Sequence, residues 1–242
     1  MFSKVLKAAL CGATAIAAAT ALTSCVNVNV KEAKLDDFNR SFTDKSFTEI
    51  DADIDWGELK IIPSSDNKVT VDAKDVPDTF KSEIKNGVLI VDFNTKAGTV
   101  APKNAKTSVT IKVPSKDYEK LDLDLGAGDT TIEDLSISTI DIDCGAGELD
   151  IKNIEADDIL NINGGAGSID ISDSITGGLD ADFGVGEFNF DGTVNGDIDI
   201  KCGIGNVDID LTNPESDFKG ANSKYSLKVD KGIGKFSISY NN

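Results

Sequence analysis

Histidine is absent from these 242 residues, Arg40 is the only arginine, and methionine and tryptophan occur once each. Without histidine there is no Ser/His/Asp or Cys/His catalysis and no imidazole-ligated metal, and a single arginine cannot form a guanidinium clamp for phosphates. Basic residues are scarce as well, 24 against 42 acidic ones, for a formal net charge of −18. Nucleic acid, which is held by clustered Lys and Arg, is therefore excluded as a partner. The acids are 32 Asp to 10 Glu, and 22 glycines accompany them. That balance disfavours helices and suits strands and tight turns.

No apolar run reaches membrane-spanning length. An uncharged stretch dominated by Ala, Leu, Ile and Thr, residues 8–22, follows Lys4 and Lys7 and has the layout of a secretory signal. It ends in Leu22-Thr23-Ser24-Cys25, which looks like a bacterial lipobox, with Cys25 diacylated (palmitate or similar) after removal of residues 1–24. Two acyl chains hold a protein on a bilayer where one does so marginally. The expectation is a lipoprotein on the extracytoplasmic face of the cell membrane, with residues 25–40 as lipid attachment and polar spacer. The remaining cysteines of the mature chain, Cys144 and Cys202, occupy the same position of repeats three units apart. Stacked at about 4.8 Å per unit they stand roughly 14 Å apart, too far for a disulfide.

The repeat is the strongest signal in the chain. Five segments superpose: Leu121-Asp-Leu-Asp-Leu-Gly-Ala-Gly128, Ile140-Asp-Ile-Asp-Cys-Gly-Ala-Gly147, Leu160-Asn-Ile-Asn-Gly-Gly-Ala-Gly167, Leu179-Asp-Ala-Asp-Phe-Gly-Val-Gly186 and Ile198-Asp-Ile-Lys-Cys-Gly-Ile-Gly205. Their first glycines, Gly126, Gly145, Gly165, Gly184 and Gly203, recur every 19 or 20 residues. A sixth copy ends in Gly232 and Gly234 after a ten-residue excess, and a degenerate one occupies Ala52-Asp-Ile-Asp-Trp-Gly57. Strict alternation sends Ile and Leu to one face of a strand and Asp to the other. A unit this short cannot bury its apolar face alone, but stacked units enclose a shared core. The prediction is an all-β fold, a β-solenoid resembling a single-stranded β-helix, with coils of about 19 residues in 121–242 and a less regular β part in 41–120. The glycine pairs are its corners, where the backbone needs positive φ or where the next coil approaches too closely for a Cβ. An antiparallel sandwich of hairpins is the competing architecture. Strand signals in 42–118 are broken by four prolines and read as wider strands that begin and cap the stack, with 94–105 a loop. A separate small domain there is the alternative.

At these glycine pairs, and at Val113-Pro114-Ser115-Lys116-Asp117-Tyr118-Glu119-Lys120-Leu121 just before them, the chain resembles the bacterial β-strand-repeat family labelled "putative adhesin", a domain of unknown function. The resemblance spans about residues 47–240. It implies an envelope-exposed β-solenoid, often with a lipoprotein signal, and some members are associated with envelope stress responses. It supplies no catalytic residues.

Charge is concentrated in the repeats: residues 121–212 hold 22 acids and only Lys152 and Lys201. In a stack, Asp122, Asp141, Asn161, Asp180 and Asp199 form one outward column, and Asp124, Asp143, Asn163, Asp182 and Lys201 its neighbour. Carboxylates about 4.8 Å apart repel by about 0.9 kcal/mol per pair in bulk water, so the Asn pair and Lys201 relieve strain. The plain reading is a solvated face that keeps the stack soluble. Two others are Ca²⁺ binding between columns and retention of cationic peptides or envelope polymers. The calcium-roll pattern is a poor match, since Ile169 stands where its Asp ligand belongs. Paired carboxylates also raise a carbohydrate-active enzyme, but similar pairs occur on most coils, so spacing selects none. Trp56 and Tyr118 could stack on sugars and read better as core. The expected protein is thus a non-catalytic surface lipoprotein, a scaffold or adhesin-like binding module with no resident cofactor or metal. Partners are the membrane through its anchor and envelope polymers, host or cell surfaces, or cationic peptides; envelope-stress sensing is a further alternative.

Overall fold

In the computed structural model, residues 31–43, 46–95 and 99–241 are described. The signal segment and Cys25 lie outside them. The described chain is built from strands and one short 3₁₀ turn, Glu215–Asp217.

Each repeat is one winding of a parallel β-solenoid. β1 (Lys31–Glu32) and β2 (Leu35–Phe42) open the chain, followed by β3 (Glu49–Trp56), β4 (Glu58–Pro63), β5 (Val69–Pro77), β6 (Lys81–Lys85), β7 (Val88–Phe93), β8 (Thr99–Val100) and β9 (Ser108–Val113). The regular coils comprise β10 (Asp117–Ala127), β11 (Thr130–Glu133), β12 (Ser136–Lys152), β13 (Glu155–Ala156), β14 (Ile159–Thr176), β15 (Leu179–Val194), β16 (Ile198–Leu211), β17 (Leu227–Ile233) and β18 (Phe236–Tyr240).

Before each glycine pair, Ile50, Leu121, Ile140, Leu160, Leu179, Ile198 and Leu227 stand in one file, paired parallel and in register. After it, Leu59, Thr130, Leu149, Ile169, Phe188, Val207 and Phe236 form a second. A short third side is started by Tyr118 against Ile137. In all but the terminal coil the residues of these two files are buried, in a single core that runs from Phe47 to Phe218. Parallel register with period-two alternation is what places every Ile and Leu inward, and it excludes the hairpin sandwich.

The two glycines of a corner do different work. At Gly145 a Cβ would lie 2.3 Å from the carbonyl oxygen of Gly126 in the coil below, a contact no side chain survives. At Gly147 that approach is 1.9 Å and φ is +143° as well, doubly restricting the site to glycine. The first glycines run in single file up the stack, as do the second. The next bend uses another device: Asp134, Asn153 and Asp173 have φ between 51° and 58°, the left-handed conformation that Asp and Asn tolerate best among residues with a side chain. Asn153 also donates to Asp134 at 2.7 Å.

The early strands differ from expectation in three respects. First, stack order is not chain order: β3–β4 lies between β10–β11 on one side and the later β7–β9 on the other. The chain lays down one coil, reverses through β5 and β6, adds a coil beneath, and only then climbs. Second, β5 pairs antiparallel with β9, β2 with β5, and β6 with β7, so the lower end closes in antiparallel strands. Residues 35–40, expected to be irregular spacer, belong to β2, because Phe38 packs on Phe80 at 4.9 Å and Phe42 also packs against the core. Likewise the loop at 94–105 contains β8, which pairs with β1. Third, Gly57 answers to the second glycine of a pair and Asp55 to the first. The Asp55 carboxylate instead accepts from the backbone N–H and hydroxyl of Thr95.

Candidate functional site

The outward columns follow from register. One consists of Asp51, Asp122, Asp141, Asn161, Asp180, Asp199 and Lys228; its neighbour of Asp53, Asp124, Asp143, Asn163, Asp182, Lys201 and Asp230. All seven aspartates expected on this face share it. Their crowding is relieved as like charges in file require. Asn161 and Asn163 each donate to the aspartate below, Asp141 and Asp143, at 2.8 Å. Lys120 bridges Asp122 at 3.1 Å and Asp141 at 2.9 Å, and its bond to Asp141 raises its pKa. Lys228 closes the top, 3.2 Å from Asp199 and 3.0 Å from Asp230. At the bottom Asn94 donates to Asp53 at 2.7 Å and to Asp92 at 3.0 Å. Asp180 and Asp182, at mid-stack, have no salt bridge among the described residues.

A second acidic face escaped the sequence reading. Asp150, Asp170, Asn189, Asp208 and Ser237 stand in register on the strands after the corner. Asn189 donates to Asp170 at 2.6 Å and Ser237 to Asp208 at 2.7 Å. The alternation resuming at Glu148-Leu-Asp-Ile carried that signal. Here one acid is set apart: desolvation first, then the charges of Asp170, Asp129 and Glu133, push the Asp150 carboxyl above its ordinary pKa. It stands on an open, exposed face. No group of three or more acidic, cysteine or histidine side chains converges as a metal ion needs among the described residues. A cleft of about 440 Å³ lies elsewhere, between the N-terminal segment Lys31–Lys34, residues 77–79, Thr95 and Thr99.

The other singled-out residues belong to the core. Tyr118 is buried, stacked on Phe47 at 5.7 Å, with its hydroxyl donating to the Pro114 carbonyl at 2.7 Å. Trp56 packs edge-on to Phe93 at 5.4 Å and donates to Thr107 at 3.1 Å. Cys144 and Cys202 are free thiols in one file, separated by Gly164 and Phe183. Burial, with Asp143 adding to it, pushes the Cys144 thiol up to about 11.

These features define a parallel β-solenoid domain with acidic outer faces and glycine-paired corners. The chain belongs to the Toastrack DUF4097 family, which matches residues 47–229. Among solved structures it is similar to a "putative adhesin" from Bacteroides fragilis NCTC 9343, with 17% identity over 86% of this chain and 99% of that one and a TM-score of 0.44. It is also similar to a "putative cell adhesion protein" from Clostridium sporogenes ATCC 15579, with 15% identity, 86% and 100% coverage and a TM-score of 0.32. A "putative lipid binding protein" from Parabacteroides distasonis ATCC 8503 shows 11% identity, 86% and 99% coverage and a TM-score of 0.37. The search of curated proteins found no match.

Proposed function

We propose that the protein is a non-catalytic lipoprotein, anchored through Cys25 at the extracytoplasmic face of the cell membrane, whose acidic solenoid is a rigid binding surface for cationic ligands. The observation that carries this reading is the register of the two outward columns. It turns a sequence bias into an anionic strip on the strands before the glycine corners, interrupted by the Asn161 and Asn163 rung and by few cations. Such a strip steers and retains polycations without a formed pocket. A glycosidase needs one carboxylate pair distinguished from its neighbours, whereas this strip repeats similar pairs coil after coil on an open face.

The test is a titration with a lysine-rich model peptide. Affinity should fall steeply between about 50 and 300 mM salt, and the combined variant Asp122→Asn, Asp141→Asn, Asp180→Asn, Asp199→Asn should abolish most of it. Binding unchanged in that variant refutes the strip as the site. In parallel, thermal unfolding with Ca²⁺ is compared with NaCl of matched ionic strength; a shift specific to Ca²⁺ would make the strip a cation site instead. The anchor is tested separately: Cys25→Ser should release the protein from membranes and remove the acyl mass.

A further inference from the structure

The acidity of the shaft stops at its last coil. Residues 213–242 hold five lysines and three acids. Lys219 is bound to Glu215 at 2.7 Å, Lys224 to Asp217 at 2.8 Å, and Lys228 to Asp199 and Asp230. Lys231 and Lys235 form no ion pair among the described residues; Lys231 donates to the Gly234 carbonyl at 2.8 Å. These two cations bracket the last glycine corner, Gly232-Ile233-Gly234, and Phe236 follows directly.

The same corner is the end of an apolar ridge. The residue between the paired glycines stands in register from coil to coil as Ala127, Ala146, Ala166, Val185, Ile204 and Ile233. It grows in size towards the C-terminal end. Val185 is 49% exposed, Ile204 51%, Ile233 72% and Phe236 37%. At about 4.8 Å per coil the three aliphatic side chains span about 10 Å. On a protein otherwise clothed in carboxylates, large exposed apolar side chains beside unpaired lysines mark an interaction surface.

We propose that this C-terminal corner docks onto an anionic lipid bilayer, Ile233 and Phe236 entering the headgroup boundary while Lys231 and Lys235 meet lipid phosphates. The occupant must be apolar and anionic at once, which is the chemistry of such a surface. A second copy fits less well: tip against tip sets Lys231 and Lys235 near their own copies, and tip against the acidic columns gives Ile233 no apolar counterpart. Further coil addition is also obstructed, because Lys231 occupies the core file of Leu125, Cys144, Phe183 and Cys202 on the last strand, an edge-protecting charge. The corner lies at the opposite end of the sheet from β2, about 40 Å away by strand spacing. Its distal placement rests on the anchor reading; its lipid affinity does not.

The experiment uses the full-length chain reconstituted into neutral phosphatidylcholine vesicles. Failure to incorporate would count against the anchor alone, and the same binding assay would then be run on the free protein. The vesicles are mixed with dye-labelled ones of phosphatidylcholine with or without 30% phosphatidylglycerol, and capture is measured by sedimentation. Capture of the anionic vesicles should exceed that of neutral ones at least tenfold. Lys231→Gln with Lys235→Gln should weaken it about thirtyfold, from roughly fivefold per lysine, and Ile233→Ser with Phe236→Ser should weaken it comparably. Lys103→Gln with Lys106→Gln, the same loss of charge elsewhere, should leave it unchanged. Equal capture of both vesicle types, or tip variants that bind as the parent does, overturns the proposal. So does loss confined to the lysine variant, which would identify a soluble anionic partner.

Discussion

Replacing Gly167 by alanine tests the stacking directly. Its Cβ would lie 1.8 Å from the carbonyl oxygen of Gly147, and the residue has φ of +150°. Ordinary contact begins near 3.4 Å, so the coils must part locally by about 1.6 Å against a spacing of about 4.8 Å. Backbone strain costs about 1–3 kcal/mol, and forced displacement in a packed interior about the same again. The expected loss is therefore about 4 kcal/mol. Gly87→Ala is the internal control, because φ is +83° there and nothing lies within 4 Å of the added carbon. It retains the conformational cost alone, about 1–2 kcal/mol. Both variants share the entropy that alanine removes from the unfolded chain, so their difference isolates the close approach between coils. Urea unfolding reads it as a shift in midpoint at constant slope. Equal losses in the two variants would refute the argument that neighbouring backbones, and not local φ alone, dictate these glycines.

Other outcomes follow from the same geometry. Asn161→Asp with Asn163→Asp exchanges two hydrogen bonds of 2.8 Å for like-charge contacts and should cost about 1–2 kcal/mol at low salt; urea unfolding in about 0.5 M NaCl should recover much of it, and a salt-independent loss would contradict the electrostatic cause. The raised pKa of Asp150 means that the folded state holds its proton more tightly than the unfolded chain does. Its contribution is fully present below the unfolded-state pKa and lost as pH rises through the folded one, so Asp150→Asn should stabilise at pH 7 with little effect in acid, as thermal unfolding across pH will show. Tyr118→Phe strands the Pro114 carbonyl in the core and should cost about 1–3 kcal/mol by urea unfolding. Cys144, half-buried with its thiol pushed up to about 11, should react with a disulfide reagent far more slowly at pH 7 than an ordinary exposed thiol and faster as pH rises towards 11, which a thiol-release assay across pH checks.

How much was legible depended on whether the signal was local. The coil, its inward files and the outward aspartates were readable because alternation and a fixed glycine offset are properties of neighbouring residues. The order of coils was not, since the reversal through β5 and β6 that inserts β7–β9 beneath β3–β4 is decided by which strand edges are left open. Gly57 was misaligned for the same reason: Asp55 is allowed at the first-glycine position because its side chain has Thr95 to hold, a contact forty residues away. The Asp134, Asn153 and Asp173 bend was hidden because Asp and Asn are so frequent here that their turn role does not stand out. The apolar ridge was in view, in the series Ala, Ala, Ala, Val, Ile, Ile between the glycines, but only its register shows that these residues touch the same solvent.

A stack of identical coils has no inherent reason to stop, so its two ends carry information that its middle cannot. At the lower end the chain turns antiparallel, and β5 and β2 present a strand polarity that a parallel coil cannot extend in register. At the upper end the ten-residue excess folds over the core: Asn213 places its side-chain amide against the backbone of Val194, completing the ladder where a strand is missing, and Phe218 packs against Tyr225 and Tyr240. The inward files leave little freedom, because each position is enclosed by the coils above and below. Outward positions are constrained only by charge balance along a column, and it is there that Lys201, the Asn pair and Lys228 depart from the repeat. The same division explains why the repeats specify a fold and so little chemistry: what the stack needs is written on its inside, and what distinguishes shaft from tip is written on its last coil, where Lys231, Ile233, Lys235 and Phe236 replace the pattern of a repeat region that holds 22 acids.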